Sequence, residues 1–507
     1  MRARAVGPGL VLGAVLAGVA AGERAGPSPA RAPLVLAVVT FGAAIACAGA
    51  RWGIAGLALC CVAASCAGGA AMSRALDGQI RGPITAAVAQ RDDATIEATL
   101  TADPDATRFS ARAPARVNRV RLDDGTTVPG GDRTVLVDAS DAAASRLAVL
   151  ETGDRVSLRG YFRPLGPFEA RWRWRHAVGA FSARDLLGFR SPSSPLLALA
   201  NGLRARVLAG HRNVPEPQRA LLAGFLLGDT SDLPDTVVAD FRAAGLSHLV
   251  AVSGQNVAFV LALAGPLLRR GPRGVRLLTG VGILVVFAAM TRFEPSVLRA
   301  AVMAGCSMVA LAVGRPTAGL RALALAVVVL VLADPFLVHS VGFVLSCAAS
   351  VGIAVLGPVI RARVPGPRSL AEAIGVTLGA QLAVAPVLVA VFDGVPLVAV
   401  PANLVVAPFA GPLTVLGLVG GVVGGMAPAP VVGVVASFPA ALCASVVLAV
   451  ARLAATMPLS VGADGFAAGA AVGLLAWGTF AVGRHRRATW RGARTRRPES
   501  GLALPPR

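Results

Sequence analysis

"GLSHLVAVSGQNVAFVLALAG", residues 245–265, decides how the rest of the chain is read. Leu, Val, Ala and Phe fill most of it, as in a membrane-crossing helix. Ser253, Gln255 and Asn256 nevertheless cluster around Gly254 near its middle. A span needed only as an anchor would carry leucine there. A Ser-Gly pair lets a helix unwind or lets another backbone approach closely. Buried amides are costly unless partnered, so the trio must face protein or water. Either it zips helices together or it lines an aqueous path.

The composition puts that segment in company. The chain has 507 residues, 55% of them hydrophobic, and a mean hydropathy of +0.69. This excludes a soluble globular protein and predicts a polytopic α-helical membrane protein. The formal net charge is +21, and the sequence contains no lysine. An arginine-rich codon bias explains this as well as phosphate contact does. Without lysine there is no phosphate-binding Gly-x-x-x-x-Gly-Lys loop, so ATP is not spent here. The seven cysteines lie in apolar stretches, none of them between Ala67 and Gly305. Their spacing suits small core residues and not zinc. No metal, cofactor or catalytic residue is expected, and the chain does not read as an enzyme.

Three apolar runs open the chain, Gly9–Ala21, Leu34–Ala50 and Ile54–Met72. With residues 1–75 assigned to them, the character changes. Residues 76–191 hold many charges, and "TIEATL", "RTVLVDA" and "DRVSLRGYF" alternate as strands do, with "DDGT" and "PGGD" as turns between them. A small all-β domain is expected. Residues 192–245 mix Leu and Arg at helical spacing and predict helices lying along the membrane surface. Spans resume over 246–483, as Leu246–Leu268, Leu277–Met290, Val297–Val313, Leu320–Ala333, Phe336–Ile360, Ala373–Phe392, Leu397–Gly420, Val431–Ala451 and Phe466–Val482, for about 12 in total. The proline-rich region Pro386–Pro430 predicts broken or re-entrant helices. A basic tail, 484–507, ends the sequence. Arginine-rich short loops at Arg269–Arg276 and Arg361–Arg368 put both termini in the cytoplasm and the β domain outside.

More polar groups accompany the opening trio. Arg292, Glu294, Ser296 and Arg299 stand at the entrance of a span, where Glu294 and Arg299 could form a locking ion pair. Asp334 reads as an N-cap, His339 as an interfacial histidine. Gln381, Asp393 and Asn403 lie among prolines. Ser253, Gln255, Asn256, Glu294, Arg299, Gln381 and Asn403 are the expected lining of one polar path. "ARWRWRHAV", residues 170–178, alternates Arg171, Arg173 and Arg175 with Trp172 and Trp174; in a strand it would set guanidiniums on one face and indoles on the other. It is an outer nucleic-acid contact or an aromatic belt at the lipid headgroups.

The motifs "GLSHLVAVSGQNVAFV", "PSVLRAAVMAG", "DPFLVHSVGFVLSCAASVGI" and "QLAVAPV…PANLVVAPFAGPLTVLG", in that order, resemble the competence domain of the ComEC family over Pro215 to Val482. The resemblance implies an inner-membrane channel that imports single-stranded DNA during natural transformation, with an OB-like extracytoplasmic module. It also implies an external DNA receptor and a cytoplasmic helicase-like motor as partners. Two departures stand out. Many members have Leu-His where this chain has Gln255-Asn256. Many also carry a metallo-β-lactamase-like domain, whose His-x-His-x-Asp-His cluster occurs nowhere here; strand degradation would then need a separate nuclease. Amides and hydroxyls suit a strand path because they grip phosphate weakly and let it go. A secondary transporter for a small or anionic solute is the alternative, since broken helices with midplane polar groups mark that class too.

Overall fold

The computed structural model describes residues 2–27, 36–40, 53–107, 109–123, 125–314, 318–392, 394–457, 460–462 and 464. The expected spans Leu34–Ala50 and Phe466–Val482, the tail, Asp393 and Cys47 fall wholly or mostly outside them.

Two long helices, α1 (Arg2–Ala25) and α2 (Gly53–Ile80), open the structure. They pack so closely that a side chain at Gly18 would collide with the Ser65 carbonyl. Small residues permit that approach where lipid supplies no hydrophobic drive. A short helix, α3 (Pro83–Gln90), leads into the β domain.

The β domain is a closed barrel. Its strands are β1 (Asp93–Leu100), β2 (Asp105–Ala106), β3 (Ser110–Leu122), β4 (Thr127–Ser140), β5 (Arg155–Arg163) and β6 (Ala177–Arg190), with helix α4 (Asp141–Leu147) between β4 and β5. β1 pairs antiparallel with β3 and β5, β3 with β4, and β5 with β6; β4 and β6 pair in parallel and close the ring, while β2 only extends β3. Alternation fills the interior with Ile96, Val117, Val135, Leu158 and other apolar side chains. Phe162 and Phe181 meet there edge to face at 5.0 Å. "DDGT" turns the chain between β3 and β4 as expected. "PGGD" does not: it lies inside β4, beside a bulge against β3 where a Gly130 side chain would strike the Val117 carbonyl.

Helices α5 (Pro195–Gly210), α6 (Gln218–Leu227) and α7 (Asp235–Ala243) cover 192–245. α5 and α7 each bury one face, as expected of amphipathic helices, but α6 does not lie at a surface. α6 buries seven of its ten residues, in one core with α5, Val406 and Leu413. Its sequence, QRALLAGFLL, is apolar nearly all round after Arg219, and such a helix belongs inside. Gly228, at φ 77°, ends it in the left-handed region.

The quoted stretch 245–265 is not a continuous span. One turn, Ser247–Val250, is followed by extended backbone and then by α8 (Gly254–Leu263). Ten residues rise about 15 Å, half of a bilayer's ~30 Å hydrocarbon core. A further helical turn, Gly265–Leu268, follows α8, and the remaining helices are α9 (Arg273–Met290), α10 (Pro295–Ala312), α11 (Gly319–Ala333), α12 (Val341–Arg361), α13 (Arg368–Phe392), α14 (Ala399–Met426) and α15 (Pro430–Ala455). A helical turn, Pro335–His339, splits the expected Phe336–Ile360 span from its start, and Asp334 caps that turn by accepting from the Phe336 N–H at 3.0 Å.

Among the described residues eight helices are long and apolar enough to cross a membrane: α1, α2, α9, α10, α12, α13, α14 and α15. α11, with 15 residues, is shorter. The chain is a membrane protein. The prolines break less than their number predicts. Pro386, Pro408, Pro412 and Pro439 sit inside continuous helices, where neighbouring helices and local adjustment tolerate the lost backbone bonds.

Candidate functional site

The break before α8 is built from backbone first. Ala251 and Ser253 are extended, at ψ 147° and 159°. The Val252 carbonyl freed by the break accepts a hydrogen bond from Ser296 Oγ at 2.7 Å. A polar residue at the start of α10 thus repairs the interruption of another helix.

Asn256 is 2% exposed. Its Nδ2 donates to the Phe225 carbonyl of α6 at 2.8 Å. Its Oδ1 accepts from Ser253 Oγ at 3.3 Å and from Thr414 Oγ1 of α14 at 3.4 Å. Three elements converge on one amide, which here zips helices together. Gln255, one residue earlier, is exposed.

Arg299 lies on the other side of the break. Its guanidinium packs against the first residue of α8, because a Cβ on Gly254 would come within 2.8 Å of Nη2. Nε donates to Ser346 Oγ of α12 at 2.9 Å, and Nη1 contacts the Met303 sulfur at 3.1 Å. The residue is 7% exposed, and among the described residues no carboxylate pairs with it. The expected ion pair with Glu294 does not form: Glu294 is exposed at the N-cap of α10, while Arg299 points into the bundle.

The structure therefore gathers Ser253, Asn256 and Arg299 around Gly254, and adds Ser296, Ser346 and Thr414. It does not bring the rest of the expected lining there. Asn403 Nδ2 donates to its own helix, to the Ala399 carbonyl at 2.7 Å. Gln381 on α13 makes no hydrogen bond among the described residues.

"RWRWR" forms a helical turn, Pro167–Arg175, and not a strand. Glu169 explains why. Arg163 holds its carboxylate through Nη1 and Nη2 at 2.6 and 2.8 Å, and the Gly166 N–H donates to it at 2.9 Å. Those bonds depress the Glu169 pKa to about 2 and wind the chain from Pro167. Trp174 then stacks on His339 at 3.7 Å and meets Phe336 edge-on at 5.5 Å. Arg173 donates to Gln79 Oε1 at 3.1 Å. The Trp174 face pins the barrel to the helices; Arg171 and Arg175 remain exposed.

A second polar centre escaped the sequence reading. Asp103, between β1 and β2, accepts from Thr152 N–H and Oγ1 at 2.9 and 2.7 Å, from Arg204 Nη2 at 3.2 Å and from Arg292 Nε at 2.7 Å. Arg204, 3% exposed on α5, also donates to the Leu227 and Met290 carbonyls at 2.9 Å each, and to Asp229 at 3.3 Å. Arg292 reaches Asn201 as well. Burial would raise the Asp103 pKa, but the charges and hydrogen bonds of Arg292, together with Arg204 and Thr152, outweigh it and hold the carboxyl below its ordinary value. Glu151 and Asp154 nearby are pushed up by burial. The network also holds Arg292 and Phe293 at φ 55°, a left-handed conformation costing about 1–2 kcal/mol per residue. Asn201 and Arg204, three apart and so on one helix face, were the available signal.

Residues 225–487 match the family described as Competence protein. The chain is 30% identical over 198 residues to "ComE operon protein 3" of Bacillus subtilis (strain 168), covering 39% of this chain and 25% of that one. It is 29% identical over 236 residues to "Uncharacterized protein YcaI" of Escherichia coli (strain K12), covering 42% and 30%. The alignments thus span less than a third of either relative. No solved structure matches. The family match takes in the break, Arg299 and every helix from α8 to α15, just over half of the residues, and the chain belongs to the competence protein family.

Proposed function

We propose that the chain passes a single DNA strand across the membrane during natural transformation, and that Arg299 at the α8 break holds a backbone phosphate in transit. One observation carries this reading: a buried guanidinium beside a broken helix with no carboxylate to neutralise it. Charges at membrane depth are costly and mark pathways when unpaired, and guanidinium suits phosphate. Family membership supports a role in DNA uptake. In this reading Asn256 sets the position of α8, and exposed Gln255 is the amide left to touch a passing strand.

The barrel supports the same reading. Its five main strands close in the order first, second, third, fifth, fourth, with a helix between third and fourth, the arrangement we assign to an OB-type single-strand-binding module. Arginine-rich loops favour a barrel outside and termini inside. An external DNA receptor and a cytoplasmic helicase-like motor complete the proposed pathway, with a separate nuclease if the other strand is degraded.

The test is entry of labelled single-stranded DNA into cells with and without the chain. A deletion strain that transforms as well as its parent overturns the proposal. One observation favours a second reading, transport of a small anionic solute: a half-helix N-terminus beside a guanidinium is how transporters hold carboxylates. Competition separates the two. Small anions would block uptake through a transporter and leave strand entry untouched.

A further inference from the structure

A cavity of about 320 Å³ lies between the last turn of α2, the outward faces of β3 and β4 and the end of the Pro167–Arg175 turn. Arg116, Arg133 and Arg175 line it, against one carboxylate, Asp132. These guanidiniums are weakly engaged. Arg116 has no hydrogen bond or ion pair among the described residues. Arg133 donates to the Arg81 carbonyl at 3.4 Å; Arg175 lies 5.0 Å from the centre of the Trp172 ring and feels the charge of Glu294 without forming an ion pair with it. Asp132 forms an ion pair with none of them. Three positive charges around a space holding a single negative one will draw in an anion, and their forked donors match phosphate oxygens.

The location selects the source. The cavity abuts the end of a span-length helix, Leu57–Ile80. There Gly78 has no side chain, and Arg133 Nη1 occupies the space that one would fill. Trp172 and Trp174 stand beside it in the same turn. Tryptophan and arginine at the end of a span mark the membrane–water interface, where basic groups gather anionic headgroups.

We propose that this cavity binds the phosphate of an anionic lipid headgroup, of the phosphatidylglycerol type, and so fastens the barrel to the bilayer surface. The site is distinct from Arg299, and its role does not depend on which solute crosses the membrane.

Native mass spectrometry of the full chain, purified in mild detergent, tests it with phosphatidylglycerol and phosphatidylcholine of matched acyl chains. Phosphatidylglycerol adducts should survive activation that strips phosphatidylcholine. The double variant Arg116→Gln, Arg175→Gln should lose that preference, by about fivefold per arginine. Melting in phosphatidylcholine checks the variant's fold; if it falls, Arg116→Gln alone, which loses no partner among the described residues, carries the comparison. Equal adducts on parent and variant overturn the proposal. So does displacement by inorganic phosphate at equal concentration, because the site would then read a free anion. A single-stranded oligonucleotide that displaces the lipid, and whose binding falls in the same variant, would make the cavity a strand contact instead.

Discussion

Arg204 and Arg299 are both buried on helices of the same bundle, and they are answered differently. Arg204 meets Asp103, Asp229 and two carbonyls. Arg299 meets a hydroxyl and a thioether. Taking a charge from water costs several kcal/mol, recovered only through close partners. The barrel junction supplies those partners from within the chain, so its charges hold structure. The α8 break leaves its charge unneutralised, so an anion from outside has something to gain there. Matched burial marks a joint; unmatched burial marks a site.

Substituting Arg204 breaks the comparison most severely. Arg204→Leu takes one of its two guanidiniums from Asp103, the ion pair from Asp229 and the donor from two buried carbonyls, and should cost about 3 kcal/mol of stability. Denaturant unfolding of the full chain in detergent measures it. A loss below about 1 kcal/mol would mean that the junction is not what holds the barrel in place.

Arg299→Met should behave in the opposite way. No carboxylate is left behind, so the fold and the amount of protein in the membrane should be unchanged. Strand uptake should fall about tenfold to a hundredfold, the worth of a hydrogen bond to a charged group. A variant that unfolds while its uptake per folded molecule is normal would turn Arg299 into a second joint.

The opening amides sharpen the contrast at smaller scale. Asn256→Leu orphans the Phe225 carbonyl and should cost about 1–3 kcal/mol in the same unfolding measurement. Gln255→Leu, exposed and unbonded, should leave stability alone and lower uptake. If both variants lower uptake only, Asn256 lines the path rather than setting it.

What was legible follows from the range of each interaction. Period-two alternation marked β1, β4 and β5, because strand faces are set by neighbours in sequence. Hydropathy marked the long helices for the same reason. Ser253-Gly254 announced an interruption through local backbone freedom. Asp103 and Arg204 are 101 residues apart, so their pairing leaves no periodic trace. "RWRWR" misled because alternation looks alike in a strand and in a turn wound by a glutamate that an upstream arginine has locked. Pro408 and Pro412 misled because tertiary neighbours tolerate the hydrogen bonds that proline loses.

That lock yields the smallest effect and the narrowest test. Arg163 and the Gly166 N–H hold the Glu169 pKa at about 2, below its ordinary 4.5. A depressed carboxylate contributes stability that is whole above the unfolded value and lost as pH falls toward the folded one. Docking of the turn should therefore weaken from about pH 4.5 down to about 2. Trp174 reports it, since leaving the His339 stack exposes the indole to water. Asp103 titrates in the same sense and Glu151 in the opposite one, so a single acid curve cannot be assigned to Glu169. Subtracting the curve of Glu169→Gln, which cannot titrate, removes both. A remaining difference confined to that window ties the turn to the Arg163 lock, whereas a flat difference would mean that Trp174 stays docked on His339 and Phe336 without that lock.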